Sequence, residues 1–334
     1  MKLRKYYSLK DYNTFGLDVK ARIFFEYYSI GELRAIAEEL YDTKCPYLHV
    51  GRGSNLLFTG DYDGAILHSG IIDMFIVGED EKQVTLRVGA GVIWDDLVAY
   101  SVENGWSGIE NLSLIPGEVG AAAVQNIGAY GCEAKDVIVS VETLDMITSE
   151  DRTFSNEECE YAYRQSAFKN QLKGRYAVTY VNIRLSKTFT PNIAYGNIQQ
   201  ALEGKDLSPA TVRRAIIDIR NQKLPDPKVT GNAGSFFMNP VVTEEKFSEL
   251  KALYPDIPSY PMAGGVKIPA GWLIEQTGWK GRSLGKAAVH DKQALVIVNK
   301  GGATAEDILK LCHTLQDAVK EKFGVEINPE VNFI

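Results

Sequence analysis

The feature that most constrains this chain is the run Ile115-Pro116-Gly117-Glu118-Val119-Gly120-Ala121-Ala122-Ala123-Val124-Gln125-Asn126-Ile127-Gly128-Ala129-Tyr130-Gly131, where small residues dominate and no charge follows Glu118. A backbone so bare of side chains can approach a large flat ligand closely, because nothing holds it away. The same composition suits a tight internal crossover, so the run alone leaves both readings open. A second stretch, Gly51-Arg52-Gly53-Ser54-Asn55-Leu56-Leu57, could wrap a pyrophosphate in backbone N–H groups or could be a plain turn after a buried strand.

A third glycine segment looks like a dinucleotide fingerprint and fails as one. Val84-Thr85-Leu86-Arg87-Val88 alternates like a half-buried strand and runs into Gly89-Ala90-Gly91-Val92-Ile93-Trp94, with a helix-like segment from Asp95. The third glycine of a G-x-G-x-x-G loop lets the helix pack on the strand, and tryptophan in its place would block that approach. A Rossmann domain is therefore disfavoured.

Elsewhere the chain mixes both kinds of element. Ser29 with Glu32 forms a capping box before Leu33, Ile36 and Leu40. Ser208-Pro209 opens a helix carrying Val212, Ala215, Ile216 and Ile219, which stops at Leu224-Pro225. Thr243, with Lys246 and Phe247, starts a short helix, and Thr304 caps a longer one with Ile308, Leu311, Leu315 and Val319 on one stripe. Tyr176-Ala177-Val178-Thr179-Tyr180-Val181 reads as a strand. The expected class is α+β, with boundaries near Ser69-Gly70 and at Leu224-Pro225-Asp226-Pro227, where two prolines force an extended break.

Bulk properties exclude several function classes. With 334 residues, 45% apolar and 24% charged, the chain can bury two or three packed units. No apolar run reaches the roughly 18 residues of a membrane span, and the basic start Met1-Lys2-Leu3-Arg4-Lys5 leads into Tyr-Tyr-Ser-Leu-Lys-Asp, so a cytoplasmic protein is expected. The net charge of −7, with no lysine-arginine cluster, argues against a nucleic-acid partner. Any anionic substrate must then be held by a few placed cations. Cys45, Cys132, Cys159 and Cys312 are scattered without zinc spacing and read as free thiols, so no metal is expected.

The order GRGSNLLF, GAGVIWDDL, IPGEVGAAAVQNIGAYG resembles the flavin-binding half of the UDP-N-acetylenolpyruvoylglucosamine reductase family. Later segments agree in the same order: Tyr161-Ala162-Tyr163-Arg164-Gln165-Ser166-Ala167-Phe168-Lys169, Lys223-Leu224-Pro225-Asp226-Pro227, Gly231-Asn232-Ala233-Gly234-Ser235-Phe236-Phe237-Met238-Asn239-Pro240 and Pro329-Glu330-Val331. The resemblance implies the FAD-binding fold of the vanillyl-alcohol-oxidase type in two α+β subdomains plus a smaller α+β substrate-binding domain. The expected limits are 1–69, with 327–334 as a candidate to return to it, then 70–223, then 224–326. It implies reduction of UDP-N-acetylglucosamine enolpyruvate to UDP-N-acetylmuramate in peptidoglycan precursor synthesis, with non-covalent FAD, NADPH as hydride donor and no obligate protein partner.

The same resemblance carries site residues onto matching positions. Cofactor contacts fall at Gly51, Arg52, Gly53, Ser54, Asn55 and Leu56, and at Ile115, Pro116, Gly117, Gly120, Ala121, Ala122, Gln125, Asn126, Gly128, Ala129 and Tyr130. Arg164, Ser235 and Glu330 form the catalytic set. Reduction of an enolpyruvyl ether pushes negative charge onto the carbon beside its carboxylate, and the planar fork of Arg164 suits that carboxylate. Glu330 beside it makes sense only if it carries or shares a proton, since two bare carboxylates repel. Ser235 would hand a proton to the carbanionic carbon.

Tyr195, within Pro191-Asn192-Ile193-Ala194-Tyr195-Gly196-Asn197, marks the subfamily whose tyrosine loop covers the substrate. With Lys223, Asn239 and Gln293 it completes the substrate-binding set. Taken singly, Arg164 and Glu330 read as surface residues, Ser235 as a turn and Tyr195 as a strand aromatic; only the joint pattern argues otherwise. Many family members carry arginine where this chain has Asn332, which puts one substrate contact in doubt. Two other readings are an oxidase that passes electrons to oxygen and a nucleotide sensor without turnover. Neither His49 nor His68 sits in a flavin-tethering motif, and the joint presence of Arg164, Ser235 and Glu330 speaks against a sensor.

Overall fold

The computed structural model describes residues 1–195, 197–262 and 264–334, so Gly196 of the tyrosine loop lies outside the described residues. The chain divides into two compact units. The first contains Met1–Tyr7, Ala21–Arg52 and Tyr62–Gln222, and the second Ser8–Lys20, Gly53–Asp61 and Lys223–Ile334. The expected boundary at 69/70 does not separate compact units, because residues on both sides of it belong to the first. The boundary at Gln222/Lys223 falls beside the double-proline segment.

The first unit holds two sheets. One orders Lys2–Ser8, Lys20–Tyr27, Tyr62–Ser69 and Tyr47–His49, the last three running parallel. Helix Ile30–Thr43 follows the second of these strands, and its buried Leu33, Ile36 and Leu40 share a core with Phe25, Tyr27, Ala65 and Leu67. Ser29 accepts the Glu32 N–H at 3.2 Å, but the Glu32 carboxylate takes the N–H of Tyr28, at 2.7 Å, rather than that of Ser29. The box therefore closes one residue early.

The other sheet is antiparallel, in the order Asp151–Ser155, Ile138–Asp145, Tyr176–Ser186, Gln83–Gly89, Met74–Glu79. Val84, Leu86 and Val88 point inward with Val181 and Ile183, against helices Trp94–Glu103 and Val119–Gln125. On the opposite face Arg87 pairs with Glu142 at 2.6 Å and lies over the Tyr180 ring.

The strand that mimics a dinucleotide loop has another reason for its glycines. A Cβ on Gly89 would lie 2.3 Å from the Ile71 carbonyl oxygen, and one on Gly91 2.2 Å from that of Ser69. These glycines admit the chain of the neighbouring sheet. Trp94 is fully buried and donates its indole N–H to the Leu112 carbonyl at 3.0 Å, filling the space a nucleotide-binding helix would need empty.

In the second unit an antiparallel sheet orders Gly231–Ser235, Val296–Asn299, Ala287–Val289 and Ser283–Leu284. Helix Ala305–Phe323 packs its stripe of Ile308, Leu311, Leu315, Val319 and Phe323 into the same core. Thr304 and Asp307 close its capping box reciprocally, at 3.2 and 3.0 Å. Strand Asn332–Phe333 pairs in parallel with Leu56–Leu57. Among the described residues no helix is long and apolar enough to cross a membrane.

Candidate active site

In the first unit the small-residue run folds as a turn, a short helix and a second turn. Gly117 has φ +126, a value that excludes most side chains, and its carbonyl accepts the Trp94 N–H. Helix Val119–Gln125 is drawn onto the sheet by the N–H groups of Val119 and Gly120, which donate to Val92 and Ala90 at 2.9 Å each. A Cβ on Gly120 would lie 2.7 Å from that of Ala90. Asp95 ties down the approach to this run. It accepts the Leu114 N–H at 2.6 Å and a two-pronged contact from Arg213 at 2.6 and 3.0 Å. Burial would raise the Asp95 carboxyl, but Arg213 and the Leu114 amide outweigh it and hold it below its ordinary value.

Asn126 is fully buried, and its amide is consumed inside the protein by the Ala162 carbonyl at 2.9 Å and the Lys135 N–H at 3.0 Å. Its side chain supports the loop rather than facing a ligand. Gln125 differs, because its Nε2 is buried and meets no acceptor among the described residues. A buried donor without an acceptor, in a loop of exposed Ala121 and half-buried glycines, fits a flat ligand that carries ring carbonyls. The residues present therefore fit a flavin.

Arg164 is half-buried and has φ +56. Its Nη2 donates to the Gly128 carbonyl at 2.6 Å and its Nη1 to that of Asn126 at 3.3 Å, so the guanidinium is fastened to the end of the small-residue run. Lys169 donates to the Arg164 carbonyl at 2.8 Å. Tyr195 lies edge-on to Tyr130, ring centroids 6.5 Å apart. Asn111 bridges the two segments, its Nδ2 donating to the carbonyls of Tyr130 at 2.9 Å and Asn192 at 2.7 Å. Arg220 hydrogen-bonds the Tyr130 hydroxyl, and burial lowers the guanidinium from its ordinary value. Neither Asn111 nor Arg220 is visible as a site residue in the sequence. Arg220 is half-buried on the helix next to the core positions Ala215, Ile216 and Ile219, and a cation beside such a stripe is the signal the sequence offers.

In the second unit the structure brings Ser235 and Glu330 onto adjoining backbone. Strand Gly231–Ser235 carries a bulge between Asn232 and Ser235, with Gly234 at φ +69 and its N–H on the Asn232 carbonyl oxygen Oδ1 at 2.9 Å. The bulge turns Ser235 outward, while Phe236 and Phe237 fill the core beneath it. Glu330 donates its N–H to the Phe236 carbonyl at 2.8 Å. Asn55 donates its Nδ2 to the Glu330 carbonyl at 3.2 Å, and the Asn55 carbonyl accepts the backbone and side-chain N–H groups of Asn332 at 3.0 and 3.3 Å. Asn332 thus braces Asn55.

The remaining substrate-set residues scatter within this unit. Lys223 is the exposed last residue of helix Pro209–Lys223. Asn239 accepts the Ala270 N–H at 2.9 Å through Oδ1, and so caps helix Ala270–Gln276. Gln293 is half-buried, with its Oε1 on the Leu295 N–H at 3.3 Å.

The model of an FAD binding domain matches residues 21–148, and that of the UDP-N-acetylenolpyruvoylglucosamine reductase C-terminal domain matches 226–334. A Bacteroides fragilis protein named UDP-N-acetylenolpyruvoylglucosamine reductase is 55% identical, over 98% of this chain and 99% of its own. One of the same name from Porphyromonas gingivalis is 45% identical over the whole of both chains. The crystal structure of the Thermus caldophilus reductase superposes with a TM-score of 0.71 at 24% identity, over 100% of this chain and 99% of that one, and shares the fold. The fold is thus an α+β FAD-binding fold with an added C-terminal domain, and on the identity of its relatives the chain belongs to the UDP-N-acetylenolpyruvoylglucosamine reductase family.

Proposed function

We propose that this protein reduces UDP-N-acetylglucosamine enolpyruvate to UDP-N-acetylmuramate, a cytoplasmic step of peptidoglycan precursor synthesis, with NADPH as reductant and non-covalent FAD as cofactor. The flavin, when bound, supplies two-electron transfer from the nicotinamide to the enolpyruvyl ether. Gly51 to Leu56 and the run from Ile115 to Tyr130 would hold it, with Gln125 Nε2 donating to a ring carbonyl. On this reading 1–69 and 70–223 are subdivisions of the flavin-binding part, and 224–326 binds the nucleotide.

This chain's residues then manage charge and protons. Arg164, fixed on two loop carbonyls, meets the carboxylate of the enolpyruvyl group as charge builds beside it, the kind of preorganised contact commonly worth about 10²–10³ in rate. Ser235 gives its hydroxyl proton to the carbon next to that carboxylate. Glu330 is held in place through its N–H on Phe236 and its carbonyl on Asn55, and it shares a proton with the same end of the substrate. Lys223, Asn239, Gln293 and Tyr195 grip the diphosphate and uridine. The observation that carries this reading is the bulge at Ser235, which turns the hydroxyl outward next to the backbone of Glu330, whose N–H donates to the Phe236 carbonyl.

NADPH consumption measured with and without the enolpyruvyl nucleotide tests it. Oxidation of NADPH that depends on the nucleotide, with one equivalent of UDP-N-acetylmuramate formed, is expected. Oxidation at the same rate with oxygen alone would identify an oxidase instead, and no turnover under either condition would leave a binding protein.

A further inference from the structure

The first unit contains a buried charged cluster that the proposed reaction does not use. Glu118, in the middle of the small-residue run, is 2% exposed, and its Oε1 lies 3.0 Å from Arg52 Nε. The carboxylate rests against Gly51, where a Cβ would come 2.9 Å from Oε2. His68, from strand Tyr62–Ser69, places Nε2 3.8 Å from Oε1 while its Nδ1 contacts the Val50 carbonyl at 3.0 Å. Tyr27, from strand Lys20–Tyr27, is the other titratable group that feels this carboxylate.

Burial pushes the His68 imidazole below its ordinary value, so it is neutral near pH 7. A neutral ring that donates from Nδ1 to Val50 turns an acceptor toward Glu118. Among the described residues Arg52 is therefore the cation that faces the carboxyl, and once Glu118 ionises the pair links the Gly51-Arg52 turn to the small-residue run through opposite charges. Arg52 is about half exposed, with its Nε 3.0 Å from Glu118 Oε1 in an ion-pair contact that lacks hydrogen-bond geometry. A long side chain loses rotamer entropy when it must also meet a ligand, unless something already holds it.

We propose that Glu118 is a positioning residue for the cofactor: through Arg52 Nε it registers the Gly51-Arg52 turn against the small-residue run and orients the guanidinium for the diphosphate of FAD. The inference rests on the flavin-dependent reading above and adds to it a residue that never touches the cofactor. Gly51 follows as a requirement of the same device, since any side chain there would displace the carboxylate.

The test is a double-mutant cycle on FAD affinity, followed by flavin fluorescence as holoprotein is diluted, for wild type, Arg52→Gln, Glu118→Gln and the double variant at pH 9. That pH is chosen because burial lifts the Glu118 carboxyl to about 8, so it is ionised there. Each single variant should weaken FAD binding by about tenfold, the low end of what close charge pairs contribute, and the double variant should be no weaker than the worse single. The FAD-free Glu118→Gln protein should melt no lower than wild type at this pH, since it has no buried carboxyl to ionise. Effects that multiply in the double variant, FAD binding that is unchanged or tighter in Glu118→Gln, or a fall in FAD-free stability without a change in affinity would each overturn the inference. Wild-type protein that binds no flavin would overturn the functional reading and this inference with it.

Discussion

Arg164 holds a backbone conformation that non-glycine residues rarely adopt and commits two nitrogens to carbonyls at the end of the small-residue run. The motif around it makes it a candidate, but motif spacing says nothing of which carbonyls a left-handed residue will reach. Ser235 is a candidate on the same ground, and the bulge that turns it outward depends on pairing with Val296, sixty-one positions along the chain. If its hydroxyl is the general acid, Ser235→Ala should leave flavin reduction by NADPH near wild type and slow oxidation by the enolpyruvyl nucleotide by about 10²–10⁴. Ser235→Cys should retain more activity than alanine; stopped-flow traces of the two half-reactions decide this, and a small loss in the alanine variant would leave Glu330 or water as the proton source. Lys223 is exposed, so Lys223→Ala should raise the apparent KM for the nucleotide by about one to two decades, the loss of one charge-assisted phosphate contact. Equal damage to both half-reactions would assign it a structural role.

Glu118 gives a prediction with a definite sign. Its carboxyl is raised by burial from 4.5 to about 8, so between those values the folded protein holds a proton that the unfolded chain has lost. The stability this contributes is complete below 4.5 and is lost as pH rises to about 8, at up to about 1.4 kcal/mol per pH unit. Chemical denaturation across that window should show a shallower decline for Glu118→Gln than for wild type. Parallel curves would mean that the carboxylate is ionised throughout.

At the level of elements, signals that depend on neighbours in sequence were the readable ones. Ser29, Ser208, Thr243 and Thr304 each mark a helix start as expected, because a cap needs only the next three residues. Asn239 could not be recognised as the cap of helix Ala270–Gln276, since thirty-one positions separate it from Ala270. Gly89 and Gly91 resemble a dinucleotide fingerprint and Trp94 argues against a Rossmann fold, but the close approach of Ile71 to Gly89 and of Ser69 to Gly91 that requires those glycines is a tertiary fact. Helix Val119–Gln125 depends on Gly120 for its seat on Ala90. Gly120→Val should lift it, at a cost of about 1–3 kcal/mol for overpacking, and flavin content should fall with it; a variant that purifies with full flavin and an unchanged melting temperature would show that the seat is soft.

For the molecule as a whole, FAD held by backbone and amide donors without a tether should leave in acid. Precipitation should release yellow flavin to the supernatant, and colour in the pellet would reveal a covalent link. Steady-state rates at varied NADPH and nucleotide should give the parallel reciprocal plots of a ping-pong scheme, since each reactant is expected to meet the same cofactor in turn; intersecting lines would indicate a ternary complex. The division into units was only half visible. Two prolines after Leu224 announce one boundary, whereas no local signal says that Ser8–Lys20 and Gly53–Asp61 belong with the C-terminal half.

That interleaving sets a timetable for synthesis. Thr59 donates both its N–H and its hydroxyl to the Ile334 carbonyl at 2.7 Å, and Asn55 relies on Glu330 and Asn332, partners some 275 positions later. At about 5–20 residues per second, a ribosome needs roughly 14–55 s to make that intervening stretch. Throughout that interval the nascent segment from Gly53 to Asp61 has no strand to pair with, so this corner of the second unit must be among the last parts of the protein to mature.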